Sequence, residues 1–264
     1  MRGAMRGIGC VAAVGLGLVA GCRQKPAPIQ TESASKLAIP AANTLDPATL
    51  GEVSGVVKLA GAAPASVRID TSMDPACGSG ETFTEQYVVH DGKLANVYVY
   101  VKTGPAAAMT HGASWMTPVV LDQKGCSYVP HVIAVMVGQR VEFRNADPTM
   151  HNVHTIPADA GNAELDFSEG PRGTPQVKVF KKPEVMMPVR CNKHRWMNAF
   201  INVSATPFFA VTGADGRFEL KGLPAGQYML GFVQEELGEE TVTVTVKPQA
   251  TVTADVTYTM KQGS

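Results

Sequence analysis

The chain has 264 residues, with 23 basic and 23 acidic side chains, a formal net charge of zero and 45% hydrophobic residues. That balance excludes the basic footprint of a nucleic-acid binder, and the apolar share excludes a chain that stays unfolded for want of a core. Its 26 glycines and 18 prolines describe short elements separated by many turns.

The first element reads as a leader. Met1, Arg2 and Arg6 precede an apolar run from Ile8 to Ala20, too short to span a bilayer comfortably but proportioned like a signal peptide over residues 1–21. The run ends in Val19-Ala20-Gly21-Cys22, which resembles a bacterial lipobox. That resemblance implies cleavage before Cys22 and lipid attachment there, hence a cell-envelope protein, periplasmic or on the outer surface, tethered to a membrane. Residues 22–50, with Pro26, Pro28, Pro40 and Pro47 and no apolar period, read as a flexible tether. Of the five cysteines, Cys10 falls in the leader and Cys22 at the lipid site, leaving Cys77, Cys126 and Cys191. If Cys191 holds a metal, the expectation in an oxidising compartment is a Cys77–Cys126 disulfide. It would close a loop of about 50 residues and stabilise the fold by about 4 kcal/mol in the chain-entropy model.

After residue 50 the chain reads as all-β. Short β-branched and aromatic runs recur at Val53–Leu59, Asn96–Lys102, Pro118–Leu121, His131–Val137, Arg140–Arg144, Gln176–Phe180 and Ala199–Val203. They continue at Phe218–Leu220, Gln227–Val233, Thr241–Lys247 and Ala250–Tyr258. Alternation is clearest in Thr241-Val242-Thr243-Val244-Thr245-Val246, where the valines share one face. Three segments are expected: 51–116, 117–205 and 206–264. In the last, Asp215-Gly216 and Pro224-Ala225-Gly226 bracket a strand, and the stretch from Val211 to Tyr228 resembles the carboxypeptidase regulatory-like family, which implies a small prealbumin-like sandwich. Val53-Ser54-Gly55-Val56-Val57 matches the first strand of that family. The sandwich is therefore expected to be split by an inserted domain, with crossings near Gly104–Met116 and Ser204–Phe208; a plain tandem is the other arrangement.

The middle segment carries the chemistry. Cys191-x2-His194-x2-Met197 follows His151-Asn152-Val153-His154, and a thiolate, two imidazoles and a thioether are the ligand types that suit a one-electron copper couple. The strand pattern Val137-Gly138-x-x-Val141-x-Phe143-x-Asn145, the histidine segment, the Cys-x2-His-x2-Met loop and the closing strand Ala199–Val203 together resemble the cupredoxins, nearest the amicyanin type. The resemblance implies a Greek-key β-sandwich holding one copper ion through His151, Cys191, His194 and Met197. It also implies that Asn152 ties the two ligand segments together at the cysteine sulfur. If His151–His154 is extended, residues three apart face opposite ways, so His154 is expected to pack or hydrogen-bond rather than ligate; its recruitment would favour zinc. His131, His90 and His111 read as ordinary histidines. Met150, Met186, Met187 and Trp196 read as apolar cover, with a Cu(I)-feeding methionine cluster as the rarer alternative.

These residues imply an electron carrier, not an enzyme: Gly-x-Ser-x-Gly, His-Glu-x-x-His and P-loop motifs are all missing from the sequence. Electrons are expected to pass through an exposed His194. Lys193 and Arg195 stand where amicyanins carry prolines, and two cations there predict docking to a redox partner that is acidic near its own centre. A copper delivery or storage module and a surface adhesion or carbohydrate-binding-like protein are the alternatives. The latter lacks an aromatic platform, because Trp115 and Trp196 are the only tryptophans.

Overall fold

The computed structural model describes residues 45–78, 80–109 and 117–260. The expected leader, Cys22, most of the tether, His111 and Trp115 lie outside the described residues. The strands run β1 (Leu50–Ala60), β2 (Val89–His90), β3 (Lys93–Leu94) and β4 (Tyr98–Thr103), then β5 (Val119–Gln123), β6 (Tyr128–Val129), β7 (Val132–Met136), β8 (Arg140–Asn145) and β9 (His151–Thr155). They continue as β10 (Asp166–Glu169), β11 (Gln176–Val179), β12 (Glu184–Arg190), β13 (Asn198–Ser204), β14 (Phe209–Val211), β15 (Arg217–Pro224), β16 (Gly226–Gln234), β17 (Gly238–Val246), β18 (Thr251–Thr253) and β19 (Val256–Thr259).

Both ends of the described chain build one sandwich. One of its sheets is ordered β15-β1-β3-β2, with β18 and β19 also on β1; the other is β14-β4-β16-β17. Val53, Val57, Leu59, Val99, Phe218, Leu230, Phe232, Val244 and Val246 fill a single core between them. In β17 the period-two pattern is visible as burial, with Val244 and Val246 inward and Thr243 and Thr245 outward. The strands from β5 to β13 form a second sandwich, from sheets β10-β9-β12-β13-β7 and β11-β8-β5-β6, around Leu121, Val141, Phe143, Val153, Val189 and Ile201. The second sandwich thus leaves the first after β4 and returns to it at β14. The molecule is all-β, two sandwiches sharing one chain.

Two departures from the expected strands have local causes. The run Ala250–Tyr258, expected as one strand, is two, because the side chain of Asp255 takes a ladder position: its Oδ1 accepts from the Val56 N–H at 2.9 Å. β18 and β19 then lie parallel to successive parts of β1. Strand β12 was not expected, since it contains Pro188 and places Met186 at φ 51°, a bulge that shifts its register on β13. Pro188 sits where β9 has just ended, and its carbonyl accepts from Ile156 N–H at 2.9 Å.

One excursion bears on the site. Between β1 and β2 the chain makes a long strap, residues 61–88, whose described residues include a bridge (Arg68 to Phe83) and a 3-10 turn (Pro75–Cys77). Asp74 caps that turn, its Oδ1 accepting from Ala76 N–H at 3.0 Å. Cys77 is joined by a disulfide to Cys126 in the turn between β5 and β6, pinning the strap of one sandwich against the other.

Candidate metal centre

His151 opens β9, and the loop Cys191–Met197 joins the neighbouring β12 to β13. The loop closes on itself: Cys191 N–H donates to the Met197 carbonyl at 3.3 Å, and Met197 N–H donates to the His194 carbonyl at 2.9 Å. The loop thereby brings Cys191, His194 and Met197 up to the end of β9. All four residues are buried, His151 and Met197 at 0% and 1% exposure. His151, Cys191 and His194 present donor atoms that all lie within 4.8 Å of one another. Met197 is buried in the same core as Cys191.

The proton arrangement is informative. His151 Nε2 lies 2.8 Å from Asp147 Oδ2, and His194 Nε2 lies 3.0 Å from Asp74 Oδ2. A carboxylate oxygen only accepts, so each Nε2 carries a proton, and in a neutral ring Nδ1 is then the lone-pair atom. Burial pushes the His151 imidazolium below its ordinary range, with Asp147 opposing, so a neutral ring is favoured there. Yet the two Nδ1 atoms face each other at 2.9 Å, with the Cys191 sulfur 3.9 Å from His194 Nδ1. Two buried lone pairs at that distance repel unless a cation or a proton stands between them. A set of two imidazole nitrogens and a sulfur, with a thioether in the same core, fits a soft or borderline metal such as copper.

The sulfur is conditioned by the backbone. It accepts from the Asn152 and His194 N–H groups, both at 3.4 Å, contacts that fix its position. Asn152 holds the two segments together: its Oδ1 accepts from Asn192 N–H at 3.2 Å, while its Nδ2 donates to Asp166 Oδ1 and the Phe167 carbonyl. His154 is turned to the opposite side, bonded to Glu164 Oε1 at 2.7 Å and Asn192 Oδ1 at 3.2 Å. His131 pairs with Glu235 at 2.6 Å, across to the first sandwich. Of the expected apolar cover, Met187 and the partly buried Trp196 belong to this core, whereas Met150 is 45% exposed.

The structure corrects the expectation of an exposed His194. That ring is only 2% exposed, because Asp74 of the strap covers its outer edge and the Trp196 ring lies 5.1 Å away, centroid to centroid. Nor is Lys193 a free docking cation: its ammonium donates to Asp74 Oδ2 at 2.9 Å and Thr149 Oγ1 at 2.7 Å. Arg195 is exposed, beside Met73 and Trp196 at the mouth of a cleft over His194.

Asp74 and Asp147 were missed from sequence. Asp147 also accepts from Gly125 N–H at 2.7 Å and Cys126 N–H at 2.8 Å, so a single carboxylate orients the His151 ring and the disulfide turn. The available signal was the disulfide, since pairing Cys77 with Cys126 delivers Asp74, three residues upstream, to the Cys191–Met197 loop. Tyr128, which donates to the Asn152 carbonyl, had no sequence signal.

No protein-family model and no curated protein matches this chain. Among solved structures, a Cu-containing nitrite reductase (NirK) from Thermus scotoductus SA-01 is similar at 26% identity, over 36% of this chain and 24% of that one, with a TM-score of 0.31. An amicyanin point mutant in its Cu(I) form is similar at 19% identity, over 41% of this chain and 99% of that one, with a TM-score of 0.30. An oxidised amicyanin mutant gives 20% identity over the same shares, with a TM-score of 0.31. The region compared therefore spans about a quarter of the nitrite reductase.

Proposed function

We propose that the inserted sandwich is a cupredoxin-like copper domain and that the protein is an exported, lipid-anchored, one-electron carrier without enzymatic activity. The observation that carries this reading is the pair of buried Nδ1 atoms 2.9 Å apart beside the Cys191 sulfur. His151, His194 and Cys191 would hold one copper ion, with Met197 as the fourth ligand. Bound there, copper would supply a one-electron couple.

The protein residues supply rigidity. Asp147 and Asp74 fix both ring orientations, two backbone N–H groups hold the sulfur, and Asn152 locks the two segments at a set separation. A site held by so many fixed partners has little to rearrange when its charge changes by one. Burial of every donor also keeps water from the thiolate. The redox partner would be a protein that is acidic around its own centre, meeting the surface at Arg195. Membrane tethering would come from lipid on Cys22, and Cys22→Ser should release the protein from membranes.

The test is the visible and electron-spin spectrum of the oxidised, copper-loaded protein. An intense sulfur-to-copper charge-transfer band is expected, abolished in Cys191→Ala and retained with unchanged copper stoichiometry in His154→Ala. A band that persists without Cys191, or copper lost with His154, would overturn the ligand assignment.

A further inference from the structure

The contact that sets this centre apart from its own sequence expectation is Asp74. It comes from the strap of the other sandwich, 120 residues away in sequence from the ring it touches, and is held there by the disulfide three residues on. A single oxygen, Oδ2, accepts from His194 Nε2 at 3.0 Å, Lys193 Nζ at 2.9 Å and Thr149 Oγ1 at 2.9 Å. Its side chain is 16% exposed, that of His194 2% and that of Lys193 40%. An anion therefore lies against a ring proposed to hold the metal, and its counter-cation stands one step farther out, in better contact with water.

We propose that Asp74 is a positioning residue for His194, and that Asp74 and Lys193 act as opposing charges on the redox equilibrium of the centre. The positioning part concerns the ring alone; the charge part rests on the copper reading above. Oxidation leaves the centre one unit more positive, so the Asp74 carboxylate favours the oxidised form and the Lys193 ammonium opposes it. Asp74 is nearer and less solvated, so its influence is the larger. Besides Asp74, His194 Nε2 has the Cys77 sulfur at 3.9 Å, which is part of the disulfide and carries no charge. Lys193, Thr149 and the ring also hold Asp74 well below the usual carboxylate range, so it is an anion throughout the working range.

Two substitutions separate charge from packing. Asp74→Asn keeps an oxygen acceptor on His194 but removes the anion; Lys193→Gln keeps a donor for Asp74 but removes the cation. Measured by spectroelectrochemistry on the full copper-loaded chain, Asp74→Asn should move the equilibrium about tenfold towards the reduced form, which is about 59 mV for one electron. Lys193→Gln should move it the other way by less. A merely structural contact would shift both in the same direction or neither, and either result overturns the charge proposal. Positioning is read separately on metal-free protein from the 15N shifts of His194. Wild type and Asp74→Asn should show Nε2–H, and Asp74→Ala a mixture of tautomers. If His194 carries its proton on Nδ1 in the wild type, the positioning role is overturned whether or not copper binds; if copper fails to give a charge-transfer band while His194 keeps Nε2–H, the copper reading and the charge proposal fail together and the positioning role stands.

Discussion

Removing the Cys77–Cys126 disulfide should cost stability and uncover the metal loop together. The bond spans a sequence separation of 49, and closing a loop of that length in the unfolded chain is worth about 4 kcal/mol in the chain-entropy model. Another tie of the strap to the second sandwich, Glu85 Oε2 at 3.8 Å from His131 Nδ1, lies away from Cys77 in sequence. The strap's own backbone bonds are few, among them Ile69 to Thr82 and Thr84 to Val67, and its hold on the second sandwich includes Asp74 on Lys193, His194 and Thr149. Cys126 is fully buried, so Cys77→Ala/Cys126→Ala is preferable to serines, whose hydroxyls would be buried unpaired at a cost of about 1–3 kcal/mol. The assay is urea unfolding of the metal-free protein followed by tryptophan fluorescence, because Trp196 donates to the Cys126 carbonyl at 3.1 Å and reports on that turn. With a slope of about 2–3 kcal/mol per molar, the midpoint should fall by more than about 1 M, and reduction of the wild type should reproduce it. Histidine-directed acylation of His194 should also rise from near zero. A loss below about 1 kcal/mol with His194 still protected would refute the idea that the bond holds the strap in place.

Two further outcomes concern the cores. Burial raises the Glu169 carboxyl above its ordinary range, so the folded state prefers the protonated form: its stabilisation is full below about pH 4, the unfolded value, and is lost as pH rises through the folded value. Glu169→Gln should therefore be at least as stable as wild type at pH 7 in thermal melts, with the difference closing towards pH 4; equal pH profiles for the two proteins would refute the assignment. Gly55→Ala should destabilise the first sandwich by about 1–3 kcal/mol, because a Cβ there would stand 2.5 Å from the Ala254 carbonyl oxygen. Unchanged unfolding would mean that β18 and β19 pack less closely on β1 than described.

The legible parts of this chain were those with a period or a fixed spacing. Alternating valines marked β17, because one face of that strand meets the core, and paired turn signals marked β15, because Gly216 and Gly226 take positive φ of 66° and 154°. β12 was hidden by Pro188 and by a bulge at Met186, and both depend on where the neighbouring strand stops, which no local pattern records. Asp255 split an apparent strand by substituting a side chain for a backbone partner, a choice that depends on β1 lying alongside. In the site, sulfur and imidazole donors were visible because few other uses call for those residue types at three-residue spacing. Asp74 and Asp147 were not, since a carboxylate in a polar loop has no such signature.

The burial of His194 shows why the missing part matters for function. A ligand loop of the Cys-x2-His-x2-Met type specifies where the ring is but not what lies over it, and here the cover belongs to the other sandwich. The disulfide, Asp74 and the His131–Glu235 pair all cross between the two, so the inserted sandwich is not a module merely carried by its host. With the Nε2 edge of His194 closed by Asp74, the cleft over the loop is lined by Trp196, Arg195 and the 88% exposed Met73. Charge steering by that surface would then come more from Arg195 than from Lys193, whose ammonium is already compensated. The salt dependence of partner encounter should accordingly fall more in Arg195→Gln than in Lys193→Gln, even though Lys193→Gln also moves the potential. If stopped-flow rates at low ionic strength instead respond to Lys193 and ignore Arg195, the Asp74–Lys193 pair must open in solution, and the closed edge described here would not be the surface a partner meets.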